Sequence, residues 1–268
     1  MLPPCSPNVM TNALPQARGA DELKCMVAAP NFITTGAGTV FVNGKLAARV
    51  GSKTLHPPSG EIIEGSSNVF IGGPAGGATL GDPDAGTAAC QAAMSTRHTP
   101  GKTQQSYGNC AVESWRIIIN RGRAAKGLPP ISEDDLLAQA IALGLAVNNP
   151  GGHNHGAMSS PDQAKLLGVH GIENGLIPQS PQSVQAVVAE GKGVVVTIHP
   201  YHWGSYVTPD WYHAVAVTGV EYDENGNPKA YIINDTGLGT CGLKLTASQF
   251  DQNSVNGVPI AVTKAKEL

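Results

Sequence analysis

The chain has 268 residues, enough for one large domain or two of ordinary size. A net charge of −3 and a charged-residue content of 14% give no reason to expect a nucleic-acid or anionic-membrane partner. No apolar run approaches the ~18 residues of a membrane span.

We expect no secretory signal peptide, since no basic segment followed by an apolar stretch occurs at the start of the sequence. We therefore expect any export to use another route. Residues 36–44 and 65–73 form an internal repeat, and each copy predicts a short β-strand that ends at a glycine turn. Few large apolar side chains occur before residue 82, so such a unit needs a source of stability besides an apolar core. A structural metal ion is the usual one.

The stretch from about Gly73 to Thr103 has the glycine- and proline-containing composition of a linker, and residues 83–103 are assigned as that linker. This divides the chain into a small β unit over residues 1–82 and a second domain over residues 104–268. The two parts differ in their predicted secondary structure. The first has short strands only, whereas the second begins with helical patterns and ends with strand patterns.

The second domain is predicted to be α+β, with helices followed by an antiparallel sheet. Val112, Trp115 and Ile119 fall at helical spacing after Cys110. Three further helices are indicated by N-terminal capping patterns at Ser132 with Asp135, at Ser160-Pro161 and at Ser180-Pro181. Strands are predicted over 194–198, 213–222 and 229–234.

Cys110 lies where a loop of small and polar residues passes into the first of these helices. Unpaired backbone N–H groups and the positive end of the helix dipole favour thiolate over thiol at such a position. A buried cysteine that only packs is the plainer interpretation. The five cysteines are too few and scattered for a disulfide framework, which makes a reducing compartment the default expectation for synthesis.

A nucleophilic cysteine needs a base and a group that orients the base. Among eight histidines, His213 suits this role best, because it opens a strand of small and β-branched residues that would hold it rigidly. The next predicted strand ends in Asn234 and Asp235, and only one of these should face the imidazole, since neighbouring strand residues point to opposite faces. Gln104 or Gln105 could donate to a developing oxyanion beside the Cys110 N–H.

With these positions, residues 104–268 resemble papain-fold cysteine peptidases, the superfamily that includes bacteriocin leader peptidases and papain-like bacterial toxins. The resemblance implies Cys110 as nucleophile, His213 as general base and Gln104 as oxyanion donor. Asp235 is favoured slightly over Asn234 as the orienting residue. Relatives on this fold also deamidate glutamine or transfer acyl groups, so the bond attacked stays open.

The N-terminal part resembles the PAAR family, the small β-cone at the tip of type VI secretion spikes, through residues 42–52 and 64–73. This resemblance implies a structural zinc, for which Cys25 and His56 are the candidate ligands and Cys5 a third. A tetrahedral zinc site needs four ligands. Unliganded side chains are the alternative at all three positions.

Together the resemblances imply a type VI secretion effector that leaves the bacterial cytoplasm on the spike trimer and enters a target cell. They also imply a protein or peptide substrate and an immunity protein in the producing cell. A spike-tip or adaptor protein whose C-terminal domain only binds a partner is the alternative of a different class. An enzyme that trims its own linker between residues 73 and 103 is a third.

Overall fold

The computed structural model describes residues 5–25, 30–56, 60–94, 108–199 and 212–266. The chain divides into two compact units, one of residues 1–80 with 220–230 and the other of residues 81–219 with 231–268. None of the described helices is long and apolar enough to cross a membrane.

The first unit consists of short strands joined by tight turns. They are β1 (Met10–Thr11), β2 (Leu14–Pro15), β3 (Glu22–Leu23), β4 (Asn31–Phe32), β5 (Thr35–Val42), β6 (Lys45–Ala47), β7 (Ala75–Gly77) and β8 (Thr79–Gly81). β1 pairs with β2, β3 with β4, and β5 with both β6 and β7, all antiparallel. This agrees with the predicted small β unit.

This unit buries an ion pair as well as apolar side chains. Ala17, Ile33 and Ala48 form one buried apolar cluster. Arg18 Nη2 lies 3.0 Å from Asp21 Oδ1, and Arg18 Nε donates to Asp21 Oδ2 at 3.1 Å. Both residues are buried, so each charge depends on the other for the interactions that water would otherwise supply.

The second copy of the internal repeat does not form the predicted strand. Its first residues make a turn in which Ser66 Oγ accepts hydrogen bonds from the N–H groups of Asn68 and Val69. The segment that follows is held by Arg49, which donates to the carbonyls of Ile71 and Gly73 at 3.1 and 2.7 Å. The two similar sequences thus adopt different structures. The first copy forms hydrogen bonds with strands β6 and β7, whereas carbonyls of the second accept hydrogen bonds from the Arg49 side chain.

In its described residues, the second unit contains six helices and the main sheet. Its elements are α1 (Pro83–Met94), α2 (Cys110–Ala125), α3 (Glu133–Ala142), α4 (Ser160–Val169), β9 (Asn174–Pro178), α5 (Pro181–Ala189), β10 (Lys192–Ile198), β11 (His213–Tyr222), β12 (Pro228–Asp235), β13 (Thr240–Thr246), α6 (Ala247–Asn253) and β14 (Pro259–Lys266). The strand order is β13-β12-β11-β10-β14-β9, and β8 also pairs with β11. β10 runs antiparallel to β11 and β14, and β14 to β9. The predicted α+β arrangement is confirmed.

Helix α2 packs its apolar face into the centre of this unit. Val112, Trp115 and Ile119 are buried in one cluster with residues of α3, α4 and the sheet, as their helical spacing predicts. The predicted caps at Ser132 and Ser180 are present, each side chain accepting an N–H from the third helical residue. The cap of α4 is Ser159 rather than Ser160, so that helix begins one residue earlier than predicted.

Residues 83–94 form helix α1, so the predicted linker over 83–103 is wrong for its first part, while residues 95–103 lie outside the described residues. The physical reason is local, since Asp82 Oδ1 accepts the Ala85 N–H at 3.0 Å and Pro83 occupies the first helical position. The glycine and proline residues of this stretch led to the linker prediction, although its alanine-rich part forms a helix. Cys90 of this helix is joined to Cys241 by a disulfide that the sequence did not predict, and Cys5, Cys25 and Cys110 are not disulfide-bonded.

Candidate active site

Cys110 is the first residue of α2 and is half-buried. The preceding residue, Asn109, is the N-cap, but its side chain makes no capping hydrogen bond. It donates instead to Glu133 Oε1 at 3.1 Å, and both side chains are buried. The N–H groups of the first turn of α2 therefore stay available to the cysteine sulfur.

His213 opens β11 and is paired in register with Ile198 of β10. Its ring is buried, and its Nε2 lies 2.8 Å from Asp235 Oδ1. Its neighbour Ala214 accepts a hydrogen bond of 3.1 Å from Ser114 Oγ, one helical turn after the cysteine. This contact ties the helix that carries Cys110 to the strand that carries His213.

Asp235 is the last residue of β12 and is fully buried. Besides His213, its Oδ1 accepts the backbone N–H groups of Gly237 and Leu238 at 2.9 and 3.1 Å. These donors come from the turn that follows the strand. They hold the carboxylate in place and compensate the loss of its hydration.

Asn234 points away from the histidine, as the alternation of side chains along a strand requires. Its Nδ2 donates to the Gly86 carbonyl of α1, and its Oδ1 accepts the Gly242 N–H of β13, each at 3.0 Å. Of the two candidates for the orienting residue, the structure brings Asp235 to His213 and engages Asn234 elsewhere.

The ionisation of Cys110 and of His213 is coupled. Burial of the Cys110 thiol opposes ionisation, but the hydrogen bond and charge of His213, with backbone hydrogen bonds from Ala214 and Ala111, lower its pKa overall. Burial of the His213 ring opposes protonation, yet hydrogen bonds to Asp235 and Cys110 and the charges of both raise its pKa to about 10. Each group therefore favours the charged form of the other, the thiolate of Cys110 and the imidazolium of His213.

A loop of the same unit fixes the residues just before Cys110. A Cβ on Gly108 would lie 1.9 Å from the His153 carbonyl oxygen, so only glycine fits this approach. The loop is internally bonded, since Asn149 donates its N–H to His155 Nδ1 at 3.1 Å and its Nδ2 to Asn154 Oδ1 at 2.7 Å. His153 and His155 thus belong to this loop.

Gln104, the candidate oxyanion donor, and its alternative Gln105 lie outside the described residues. Sequence reasoning missed Asn109 and Ser114 as residues that fix Cys110 and His213. Their signals were weak, since an asparagine before a helix suggests an ordinary cap and a serine one turn into a helix suggests nothing specific.

The candidate zinc ligands do not form a site in the described part of the first unit. Among the described residues, no group of three or more His, Cys, Asp or Glu side chains has an arrangement that could hold a metal ion, so Cys5, Cys25 and His56 do not form a ligand set there. His56 Nε2 lies 3.2 Å from the Pro30 carbonyl, which leaves one ring nitrogen for other partners. The zinc stays a prediction from the resemblance.

Comparison with known proteins finds one matching family model and several similar solved structures. A family model described as PAAR motif matches residues 2–57. A double glycine motif protease of an AMS/PCAT transporter, solved with its leader peptide, is 14% identical with a TM-score of 0.38 and covers 62% of this chain and 91% of its own. A protein described as a C39-like peptidase from Bacillus anthracis is 15% identical with a TM-score of 0.39, over 59% of this chain and 88% of its own. No curated protein matches the chain.

Proposed function

We propose that the second unit is a cysteine peptidase with Cys110 as nucleophile, His213 as general acid and base, and Asp235 as the residue that orients His213. The observation that carries this proposal is the continuous chain of contacts from the Cys110 thiol through the His213 ring to Asp235 Oδ1, 2.8 Å from Nε2. An inert packed thiol would have no reason to lie beside a buried imidazole with a buried carboxylate behind it.

In this proposal the Cys110 thiolate attacks the carbonyl carbon of an amide, and the C–S bond forms as the carbonyl electrons move to oxygen. His213 gives its proton to the leaving nitrogen as the C–N bond breaks, which leaves an acyl-enzyme. The neutral imidazole then takes a proton from water, whose oxygen attacks the thioester and restores the thiolate. Asp235 keeps the ring oriented through both steps.

The oxyanion of this reaction needs donors near the start of α2. The uncapped N–H groups of its first turn supply one set, because Asn109 is engaged with Glu133. We assign the second donor to the side-chain amide of Gln104, on its position six residues before Cys110.

For the whole chain we propose a type VI secretion effector. The PAAR motif in residues 2–57 supports attachment to the spike trimer, and the peptidase unit would be its cargo, acting on a protein or peptide of the target cell. A producing cell would then need an immunity protein when the target is bacterial.

Expression of the full chain in the cytoplasm of a bacterium without the immunity protein tests this function. We expect growth arrest with the natural chain and normal growth with Cys110→Ala or His213→Ala. Equal growth with all three chains, or equal arrest with Cys110→Ala, contradicts a cytoplasmic cysteine enzyme. New protein N-termini in the arrested cells would identify a peptidase, whereas Gln-to-Glu conversion or acylated proteins would identify the other chemistries of this fold.

A further inference from the structure

Helix α1 and strand β13 are joined at two neighbouring points. Cys90 of the helix is bonded to Cys241 of the strand by a disulfide. One turn earlier on the same face of the helix, the Gly86 carbonyl accepts a hydrogen bond from Asn234. The residue after Cys241, Gly242, donates its N–H to the same asparagine. One covalent bond and one side-chain bridge thus connect the same two elements.

The surroundings of the disulfide are apolar and closely packed. Cys90 and Asn234 are fully buried. Cys90, Ala93 and Ile117 form a cluster against which Cys241 also packs. Because the interior is close-packed, a change in the distance between α1 and β13 has to be taken up by the chain between Asn234 and Cys241.

That chain carries Asp235. It follows Asn234 directly, and the turn at 236–239 supplies the N–H groups of Gly237 and Leu238 that its carboxylate accepts. The turn is therefore anchored at one end by Asn234 and at the other by Cys241. Both anchors bind α1, whereas the Asp235 side chain points the other way, to His213.

We propose that Asn234 and the Cys90–Cys241 disulfide form a clamp that positions Asp235 against His213, so that oxidation of the two cysteines raises the reactivity of Cys110. This inference rests on the proposed function. Asn234 is a positioning residue here, since it touches neither the thiol nor the imidazole.

The redox step balances as a thiol–disulfide exchange. Two thiols lose two protons and two electrons as the S–S bond forms, and an oxidised disulfide partner accepts the electrons and becomes a dithiol. A reducing dithiol reverses the reaction and opens the clamp. Cys110 would then be most reactive in an oxidising compartment, and less reactive in the reducing compartment that we expect for synthesis of the chain.

The test is the rate of alkylation of Cys110 by iodoacetamide in the full chain, measured on the Cys110 peptide by mass spectrometry over about pH 5 to 10, the range of ordinary imidazole and thiol titration. We expect Asn234→Ala and the double variant Cys90→Ser/Cys241→Ser to move the midpoint of the profile upward. A shift of one unit corresponds to about tenfold slower reaction below the midpoint. Treatment of the natural chain with a dithiol should reproduce the double variant.

Val184→Ala is the control for general destabilisation, because Val184 is fully buried in α5, on another part of the same unit. It should lower the melting temperature and leave the midpoint unchanged. A wild-type midpoint in Asn234→Ala and in the double variant, with His213→Ala shifted, overturns the clamp alone. A shift in Asn234→Ala without one in the double variant overturns the redox role. An unshifted His213→Ala overturns the proposed function itself.

Discussion

Cys110 and His213 act as one acid–base unit in this proposal, since each holds the charge that stabilises the other. Burial alone would favour the neutral thiol and neutral imidazole. The hydrogen bond between His213 and Cys110 opposes this effect of burial on both groups. Ala214 and Ala111 add backbone hydrogen bonds that lower the pKa of Cys110, and Asp235 adds one that raises the pKa of His213. A cysteine that is already a thiolate can react as a nucleophile without a preceding proton transfer to solvent.

We expect the alkylation rate of Cys110 to reach half of its plateau value below about pH 8.5, where a free thiol is half ionised. The sign follows from the lowered pKa of Cys110 and from a His213 pKa raised to about 10, so that the pair stays charged between these two titrations. In His213→Ala the burial of Cys110 remains while its partner is lost, and the midpoint should move upward. A profile that is identical in both chains would contradict the coupling.

We expect Asp235→Asn to reduce kcat/KM on any substrate by about 10²–10⁴-fold, because the amide neither supports the imidazolium nor fixes the same ring tautomer. The fully buried Asp235 should tolerate this change of similar shape better than truncation to alanine. Steady-state kinetics and a melting curve of Asp235→Asn check this together. A large loss of activity with an unchanged melting temperature supports orientation, and a comparable loss of both supports a structural role only.

At the scale of elements, α1 is joined to α2, the helix that carries Cys110, and to the sheet of the same unit. Arg116, fully buried in α2, donates to the Ala93 carbonyl at 2.7 Å and pairs with Glu113, with Nε 2.6 Å from Oε1. Removal of α1 would leave this guanidinium with one acceptor fewer, and the disulfide from Cys90 would be lost as well. A buried cation that loses a partner is costly.

We therefore expect a chain that begins at residue 104 to be much less stable than one that begins at Gly81. The disulfide alone accounts for about 2–5 kcal/mol of the difference. Urea unfolding followed by tryptophan fluorescence measures both chains. Equal midpoints would show that α1 adds nothing to this unit, and toxicity assays with the shorter chain would then be as informative as those with the longer one.

At the scale of the whole molecule, the first unit is completed by a segment from far along the chain. Residues 220–230, which comprise the end of β11, the turn and the start of β12, belong to it. Tyr222 donates its N–H to the Ala78 carbonyl at 3.0 Å, and Gly226 at the turn lies against Lys53 and Thr34. The chain therefore enters the first unit twice.

We expect Gly226→Ala to destabilise the first unit by more than the ~1–2 kcal/mol that a left-handed backbone costs an L-residue. Gly226 has φ +82°, and a Cβ there would lie 2.7 Å from Lys53 Cβ. Gly257→Ala is the matched control, since φ is +84° and nothing lies within 4 Å of its Cβ. Calorimetry of both variants checks this, and an equal loss in the two would contradict a packed turn at Gly226.

How far the sequence could predict this molecule depended on how local the signal was. Caps at Ser132 and Ser180, the periodicity of α2 and the β11 boundaries come from contacts a few residues apart, and the structure contains all of them. The strand expected in the second repeat does not form, because strand formation by residues 65–73 depends on a partner strand elsewhere in the chain. Arg49 instead donates hydrogen bonds to the carbonyls of Ile71 and Gly73.

The sequence by itself determined that a cysteine starts a helix, that a histidine opens a strand and that an Asn-Asp pair ends the next, because each is a matter of local backbone preference. The tertiary structure alone decided that Asp235 faces His213 while Asn234 binds α1. It also decided that Cys90 and Cys241, 151 residues apart, are bonded. The physical reason is that strand facing and long-range pairing are set by packing between distant segments, which no local pattern encodes.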